Sequence, residues 1–273
     1  MSRVTIAPVA PVALVTGAAR GIGLGIAQRF LALGYRVALL DIDAETLQST
    51  MARLHREDAG AAARSLPLVA DVANEAQVAA AFATLAERLG RLDALVNNAG
   101  IAVFKPLQRT TAEEWRRVLA VNLDGPFLCT QAALPLMAAG AAVVHIASIS
   151  GLRASTLRVA YGTSKAALIH LMKQQAAELG TIGIRVNAVA PGPVETEMAR
   201  QVHSPAIRAD YAAAIPLERY GSIDEIAQAV TWLCSAQASY VNGQVLAVDG
   251  GFDASGIGLV ALRRDAADDP LTH

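Results

Sequence analysis

The chain has 273 residues, a formal net charge of −1 from 23 basic and 24 acidic side chains, and 53% hydrophobic against 17% charged residues. With no dense basic cluster, that balance excludes a surface built to track a phosphate backbone, and the apolar residues fall in short runs that never reach membrane-spanning length. Cys129 and Cys234 form no C-x-x-C pair and the five histidines form no ligand cluster, which argues against a disulfide framework and a metal site and suits a reducing, cytoplasmic compartment.

Residues 1–17 hold a single early Arg and run straight into a glycine turn, without the separate apolar core and small-residue cleavage site of a secretory signal. VALVTG at 12–17 predicts a first strand. TGAARGIG at 16–23 then predicts a turn into the helix LGIAQRFLAL, which Gly34 can stop. A strand-to-helix turn that admits a pyrophosphate needs residues tolerant of unusual backbone angles, because the anion must approach free N–H groups at the positive end of the helix. Gly17, Gly21 and Gly23 supply this as G-x-x-x-G-x-G, a variant of the G-x-G-x-x-G fingerprint.

The second strand, RVALLD at 36–41, ends in Asp41, where an acidic side chain binds ribose hydroxyls. A carboxylate accepts a hydrogen bond from a free 2′-hydroxyl and repels a 2′-phosphate, so NAD is favoured over NADP; Arg20 in the glycine turn is the counter-argument. LPLVAD at 66–71 and LDALVN at 92–97 predict the third and fourth strands. Thr111 and Glu114 have capping-box spacing ahead of a long helical stretch, 111–138. The segment 132–147 is broken by Pro135 and Gly140 and reads as a helix end followed by a buried strand, AVVHIAS at 142–148.

AYGTSKAAL at 160–168 places Tyr161 and Lys165 on one face of a helix, a turn apart. A neighbouring cation favours phenolate and brings a tyrosine toward catalytic range; the plainer alternative is a packed ring beside a solvated ammonium. IRVNAV at 184–189 and QVLAVDG at 244–250 complete seven strands, with a second capping box, Ser222 and Glu225, between them. Apolar strands separated by helix-length segments imply βαβ units. The fold class expected is α/β, a Rossmann-like doubly wound sheet of about seven parallel strands with helices on both faces, in a single domain spanning 1–273 with its core at about 12–252 and a C-terminal extension over 253–273.

Taken together, the glycine turn, Asp71 after the third strand, NNAG at 97–100, Ser148, Tyr161 with Lys165, PGPVET at 191–196 and VDGG at 248–251 occur in an order that resembles the classical short-chain dehydrogenase/reductase family from about Val12 to Phe252. The resemblance implies nicotinamide-dependent hydride transfer between a secondary alcohol or polyol and its ketone. It gives catalytic roles to Asn122, Ser148, Tyr161 and Lys165. Tyr161 is then the acid–base, Ser148 holds the substrate oxygen, Lys165 lowers the tyrosine pKa and binds the nicotinamide ribose, and Asn122 anchors a water linking Lys165 to solvent. Cofactor contacts are implied at Gly17, Arg20, Gly21, Ile22, Gly23, Asp41, Asp71, Val72, Asn98, Ala99, Gly100, Tyr161, Lys165, Pro191, Gly192, Val194 and Thr196. Taken singly, each has a structural alternative: Asp71 and Thr196 as helix caps, Asn122 as a helix-interior amide.

The competing readings are a 3-oxoacyl-thioester reductase of the same family, a non-catalytic nucleotide-binding regulator on the same fold, and the extended branch of the family, whose G-x-x-G-x-x-G turn and longer C-terminal domain this chain lacks. The substrate partner is a small alcohol or ketone, shaped by residues 151–160 and the segment from Pro191 to about Tyr220. Arg153 and Arg158 there invite an anionic substrate, although solvated or interface arginines are the expectation. Leu168, Leu171 and Met172 read as surplus to one core-facing stripe, which together with the resemblance predicts a homotetramer, with the segment after Phe252 packed on a neighbour near the substrate opening.

Overall fold

The computed structural model describes residues 10–255. All seven expected strands form: β1 (Val12–Thr16), β2 (Arg36–Asp41), β3 (Ser65–Val69), β4 (Ala94–Asn97), β5 (Ala142–Ile146), β6 (Arg185–Pro191) and β7 (Val245–Val248). They make one sheet in the order β3-β2-β1-β4-β5-β6-β7, with every neighbouring pair parallel. Because β2 lies on one side of β1 and β4 on the other, the chain winds outward in both directions. The crevice at the carboxyl ends of β1 and β4 is where such a sheet receives a ligand.

The helices are α1 (Gly21–Ala32), α2 (Ala44–Glu57), α3 (Ala59–Ala63), α4 (Glu75–Leu89), α5 (Ala112–Leu119), α6 (Gly125–Ala133), α7 (Ile149–Leu152), α8 (Val159–Leu179), α9 (Glu197–Val202), α10 (Pro205–Ala214) and α11 (Ile223–Cys234). They cover both faces. Side chains alternate across a strand, so Ala13 and Val15 of β1 pack with Ile26 of α1, Leu47 of α2 and Val230 of α11, while Val12 and Leu14 pack with Val78 of α4, Cys129 of α6 and Met172 of α8. Each Leu or Val buried this way contributes roughly 1.5–3 kcal/mol. Both faces being covered explains why the strands read as unbroken apolar runs.

Capping follows the sequence. Thr111 and Glu114 exchange the two hydrogen bonds of a capping box at α5, and Ser222 and Glu225 do so at α11. Gly34, at φ +85°, follows the last turn of α1.

The long helix expected over 111–138 is interrupted. Between α5 and α6 the backbone takes a π turn, Ala120–Asp124, and a short 3-10 turn, Leu134–Leu136, follows α6. The physical reason lies outside the helix: the fully buried Asn122 turns inward to bond the backbone of Ile101.

Leu168 and Met172 do not lie on an outward face. Both are fully buried, on the stripe of α8 that includes Ser164 and Ala176 at four-residue spacing, and they belong to the chain's own core; Leu171 is half-buried. The interface argument from these residues is therefore corrected. The expected packing of the segment after Phe252 falls largely on residues outside those described. Cys129 and Cys234 are both buried and unpaired, and burial pushes each thiol up to about 12. Among the described residues no helix is long and apolar enough to cross a membrane.

Candidate active site

The glycine turn is closed below and open above. Gly17 and Gly21 take left-handed backbone angles, φ +63° and +60°, which cost an L side chain about 1–2 kcal/mol. A Cβ on Gly23 would lie 2.1 Å from the Gly17 carbonyl oxygen and 2.5 Å from Asn98 Nδ2, whereas one on Gly21 would meet nothing within 4 Å. Asn98 ties the turn to the end of β4: its Nδ2 donates to the carbonyls of Thr16 (2.9 Å) and Gly17 (3.1 Å), while the amides of Asn98 and Ala99 both donate to Thr16 Oγ1.

At the start of α1, Arg20 supplies no side-chain cap and the first turn holds no acid. The leading N–H groups and the helix dipole are thus free to face an anion. These residues fit a dinucleotide pyrophosphate. Ile22, half-buried, packs against the core.

At the end of β2, Asp41 accepts from the amides of Ala19 (Oδ2, 2.9 Å) and Asp43 (Oδ1, 3.0 Å), and each oxygen keeps a further lone pair for a ribose hydroxyl. Arg20 reaches Asp43 at 3.3 Å with its side chain 69% exposed. The Thr46 hydroxyl and amide, helped by Arg20, hold the Asp43 carboxyl below the usual range. The arginine that argued for a 2′-phosphate therefore already faces a second carboxylate.

Asp71 does not cap α4; Asn74 does, and Asp71 instead accepts from the amide of Ala73. Val72 is buried against Gly125, whose added Cβ would lie 2.9 Å from Val72 Cγ2. On the other side of the crevice, Pro191 closes β6, the Gly192 amide donates to the Val248 carbonyl, and Val194 is buried. Thr196 is a helix cap, accepting from the Ala199 amide at 3.1 Å.

The four polar residues expected to carry chemistry converge. Ser148 caps α7 by accepting from the Ser150 amide at 3.1 Å, and it also hydrogen-bonds the Tyr161 hydroxyl. Lys165, only 4% exposed, donates from Nζ to the Ile146 carbonyl at 2.7 Å and stands 5.8 Å from the centre of the Tyr161 ring. Asn122 accepts from the Ile101 amide at 2.8 Å and donates to the Ile101 carbonyl and to Ser164 Oγ, which donates in turn to the Tyr161 carbonyl. A Cβ on Gly100 would meet both Asn122 Oδ1 (3.2 Å) and Lys165 Nζ (3.5 Å).

The electrostatics depart from expectation. Burial pushes the Tyr161 hydroxyl up, and what draws it back is the Ser148 hydrogen bond and then the positive charge of Arg158. Lys165 is itself brought down to about 8 by burial. The Tyr161 hydroxyl thus stands above its ordinary value, where a neighbouring cation implies a value below it. The turn spacing puts the two groups on one face, with the buried ammonium bonded to the Ile146 carbonyl.

Several further side chains wall the same opening. Arg158 is half-buried, donating to Tyr211 Oη at 3.1 Å and to Ser150 Oγ at 3.3 Å, so it is not the solvated arginine expected. Arg153 stacks 3.9 Å over the Phe252 ring. Tyr211 touches Phe252, His203 and Tyr220 edge-on or tilted at 5.3–5.8 Å, and His203 Nδ1 is 3.0 Å from Tyr220 Oη. His203, Tyr211 and Tyr220 were not singled out from the sequence, because their segment carries no periodic or spaced signal. Among the described residues, no group of three or more His, Cys, Asp or Glu side chains could hold a metal ion.

The family model described as enoyl-(acyl carrier protein) reductase matches residues 17–253. The chain is 44% identical over 249 residues to 2-(R)-hydroxypropyl-CoM dehydrogenase of Xanthobacter autotrophicus, covering 89% of this chain and 98% of that protein. Among solved structures, levodione reductase aligns with TM-score 0.84 at 35% identity, over 90% of this chain and 98% of that one. The Pseudomonas aeruginosa RhlG/NADP active-site complex aligns with TM-score 0.83 at 36% identity, over 89% and 96%.

Proposed function

The chain belongs to the short-chain dehydrogenase/reductase family, and from that premise we propose that it is an NAD-dependent dehydrogenase that interconverts a secondary alcohol and its ketone. The observation that carries this reading is the convergence of Ser148, Tyr161 and Lys165 beside an open glycine turn at the head of α1.

A bound nicotinamide would supply the hydride acceptor for oxidation and the donor for reduction. In oxidation, Ser148 holds the substrate oxygen by a hydrogen bond and Tyr161 takes the hydroxyl proton as the C–H hydride leaves, so that the C–O bond becomes C=O. In reduction Tyr161 returns that proton to the oxygen. Lys165, buried and cationic below about pH 8, is placed to bond ribose hydroxyls. Asn122, held at Ile101, keeps the 120–124 turn open toward Lys165. Gly17, Arg20, Gly21, Ile22, Gly23, Asn98, Ala99 and Gly100 would line the pyrophosphate side, Asp41, Asp71 and Val72 the adenosine side, and Pro191, Gly192, Val194 and Thr196 the nicotinamide side.

NAD preference rests on Asp41 and Asp43 together, since a 2′-phosphate would meet two carboxylates while Arg20 is already paired. Wild-type protein is expected to use NAD at least about tenfold more efficiently than NADP. Asp41→Ala should cut that ratio toward unity by weakening NAD. The ratio of kcat/KM for the two cofactors measures this, and an NADP preference in the wild type would overturn it.

A second reading, reduction of a 3-oxoacyl thioester, is favoured by the acyl-carrier-protein description of the matching family model. Activity with NADPH and a 3-oxoacyl thioester exceeding that of NAD with any secondary alcohol would establish it in place of the first. We also propose a homotetramer in a cytoplasmic setting. The exposed Leu107, Phe127 and Leu152 supply apolar surface for the assembly in place of the buried Leu168 and Met172. Light scattering tests it, and a monomer would refute it.

A further inference from the structure

Arg158 is an unusual arginine. It stands three residues before Tyr161, is half-buried, and its charge acts on the Tyr161 hydroxyl. Among the described residues its guanidinium is hydrogen-bonded only to neutral hydroxyls, Tyr211 Oη at 3.1 Å and Ser150 Oγ at 3.3 Å, and it lies 5.2 Å from the centre of the Phe104 ring.

Among the described residues no carboxylate comes within ion-pair distance of Arg158 or of Arg153. The nearby acid, Glu195, is instead taken by Arg200 (3.1 Å) and Arg208. A partly desolvated guanidinium with five donors and no anion is in deficit, because its full interaction energy is realised only against a carboxylate or similar oxyanion. Beside it stand the rings of Tyr211 and Phe104, and Tyr211 meets Phe252 edge-on, so the guanidinium has aromatic rather than acidic neighbours.

From these contacts we infer that Arg158 reads an anionic group carried by the substrate near its reacting carbon, exchanging its hydroxyl partners for a carboxylate, sulfonate or phosphate oxygen. The substrate class is then an acidic secondary alcohol or its ketone. Arg153, stacked on Phe252 and likewise without a carboxylate among the described residues, is the second positive charge at the same opening. This inference rests on the dehydrogenase reading and narrows its substrate.

The experiment is NADH-linked reduction of matched ketones: acetoacetate against its neutral methyl ester, with 2-oxopropanesulfonate and 3-oxobutyl phosphate as further arms that distinguish which oxyanion fits. The wild type should prefer at least one anion over the neutral ester by tenfold or more in kcat/KM. Arg158→Met should lower the ratio of anion to ester by roughly a hundredfold, the amount expected for one lost charge-assisted hydrogen bond, chiefly through KM for the anion. Arg158→Lys should recover part of the ratio.

Calorimetric titration of the same anions into the NADH complex gives a readout independent of turnover: binding by the wild type and its loss in Arg158→Met are expected. Equal use of ester and acids by the wild type, or an anion-to-ester ratio unchanged in Arg158→Met, overturns the inference while leaving the dehydrogenase reading intact. Absence of NADH binding in fluorescence titration would instead remove the dehydrogenase reading itself, and the inference with it.

Discussion

Tyr161→Phe is expected to lower turnover by about 10²–10⁴-fold in both directions while leaving the dissociation constant for NADH within a few-fold of wild type. The change deletes one hydroxyl and keeps the ring, so α8 retains its packing and the turn at Gly17 is untouched. What disappears is the transferable proton beside Ser148. The wild-type pH profile should show the same group from another side. Burial raises the Tyr161 hydroxyl, so at neutral pH it carries its proton and is ready to act as an acid. Alcohol oxidation, which needs the phenolate, should therefore rise with pH into the alkaline range, and ketone reduction should fall over that range. Steady-state rates in both directions from pH 6 to 10, with NADH binding by fluorescence, measure all of this. Retention of a tenth or more of the activity in Tyr161→Phe would remove the residue from the chemistry.

Gly23→Ala should abolish cofactor binding under conditions that saturate the wild type, a loss of about a hundredfold or more, and should also lower the melting temperature. The new methyl carbon would have to sit 2.1 Å from the Gly17 carbonyl oxygen and 2.5 Å from Asn98 Nδ2, and the first of these is backbone that cannot step aside. Overpacking at such a site typically costs 1–3 kcal/mol in stability. It also forces apart the turn and the end of β4, the two elements proposed to seat the pyrophosphate. Gly21→Ala is the control. Its Cβ enters open space and its cost is the left-handed backbone alone, so its effect on affinity should be smaller. The pair is compared by NADH fluorescence titration and thermal melts; wild-type affinity in Gly23→Ala would show that the turn does not hold the dinucleotide.

The sequence disclosed what short-range physics decides. Apolar runs of strand length, glycines at the first turn and capping boxes at Thr111 and Ser222 each act within a few residues, and the strands, the turn and both caps stand where they were expected. The α8 spacing put Tyr161 and Lys165 on one face for the same reason. Less legible was whatever depends on partners distant in the chain. The break at 120–124 arises from Ile101, and the burial of Leu168 and Met172 from where α8 lies on the sheet. The pull on Tyr161 comes first from Ser148 and then from Arg158, which is near in sequence but is bonded to the distant Tyr211. Of the site, the polar quartet could be named from a resemblance, while the ring of His203, Tyr211 and Tyr220 required the fold.

The π turn between α5 and α6 bears on how this segment tolerates change. It holds one residue more than a continuous α-helix would need to cover the same path, and that surplus lets Asn122 face Ile101. Shortening the segment by a single residue at Val121 would give a more regular helix with better local hydrogen bonding over the same path, yet it would turn Asn122 away from the crevice and strip the Ile101 amide and carbonyl of their partner. The chain is locally frustrated here: the conformation its own neighbours would choose differs from the one the crevice requires. A one-residue deletion within 120–124 should therefore act as a switch between a smoother helix and an intact crevice, rather than as a graded perturbation.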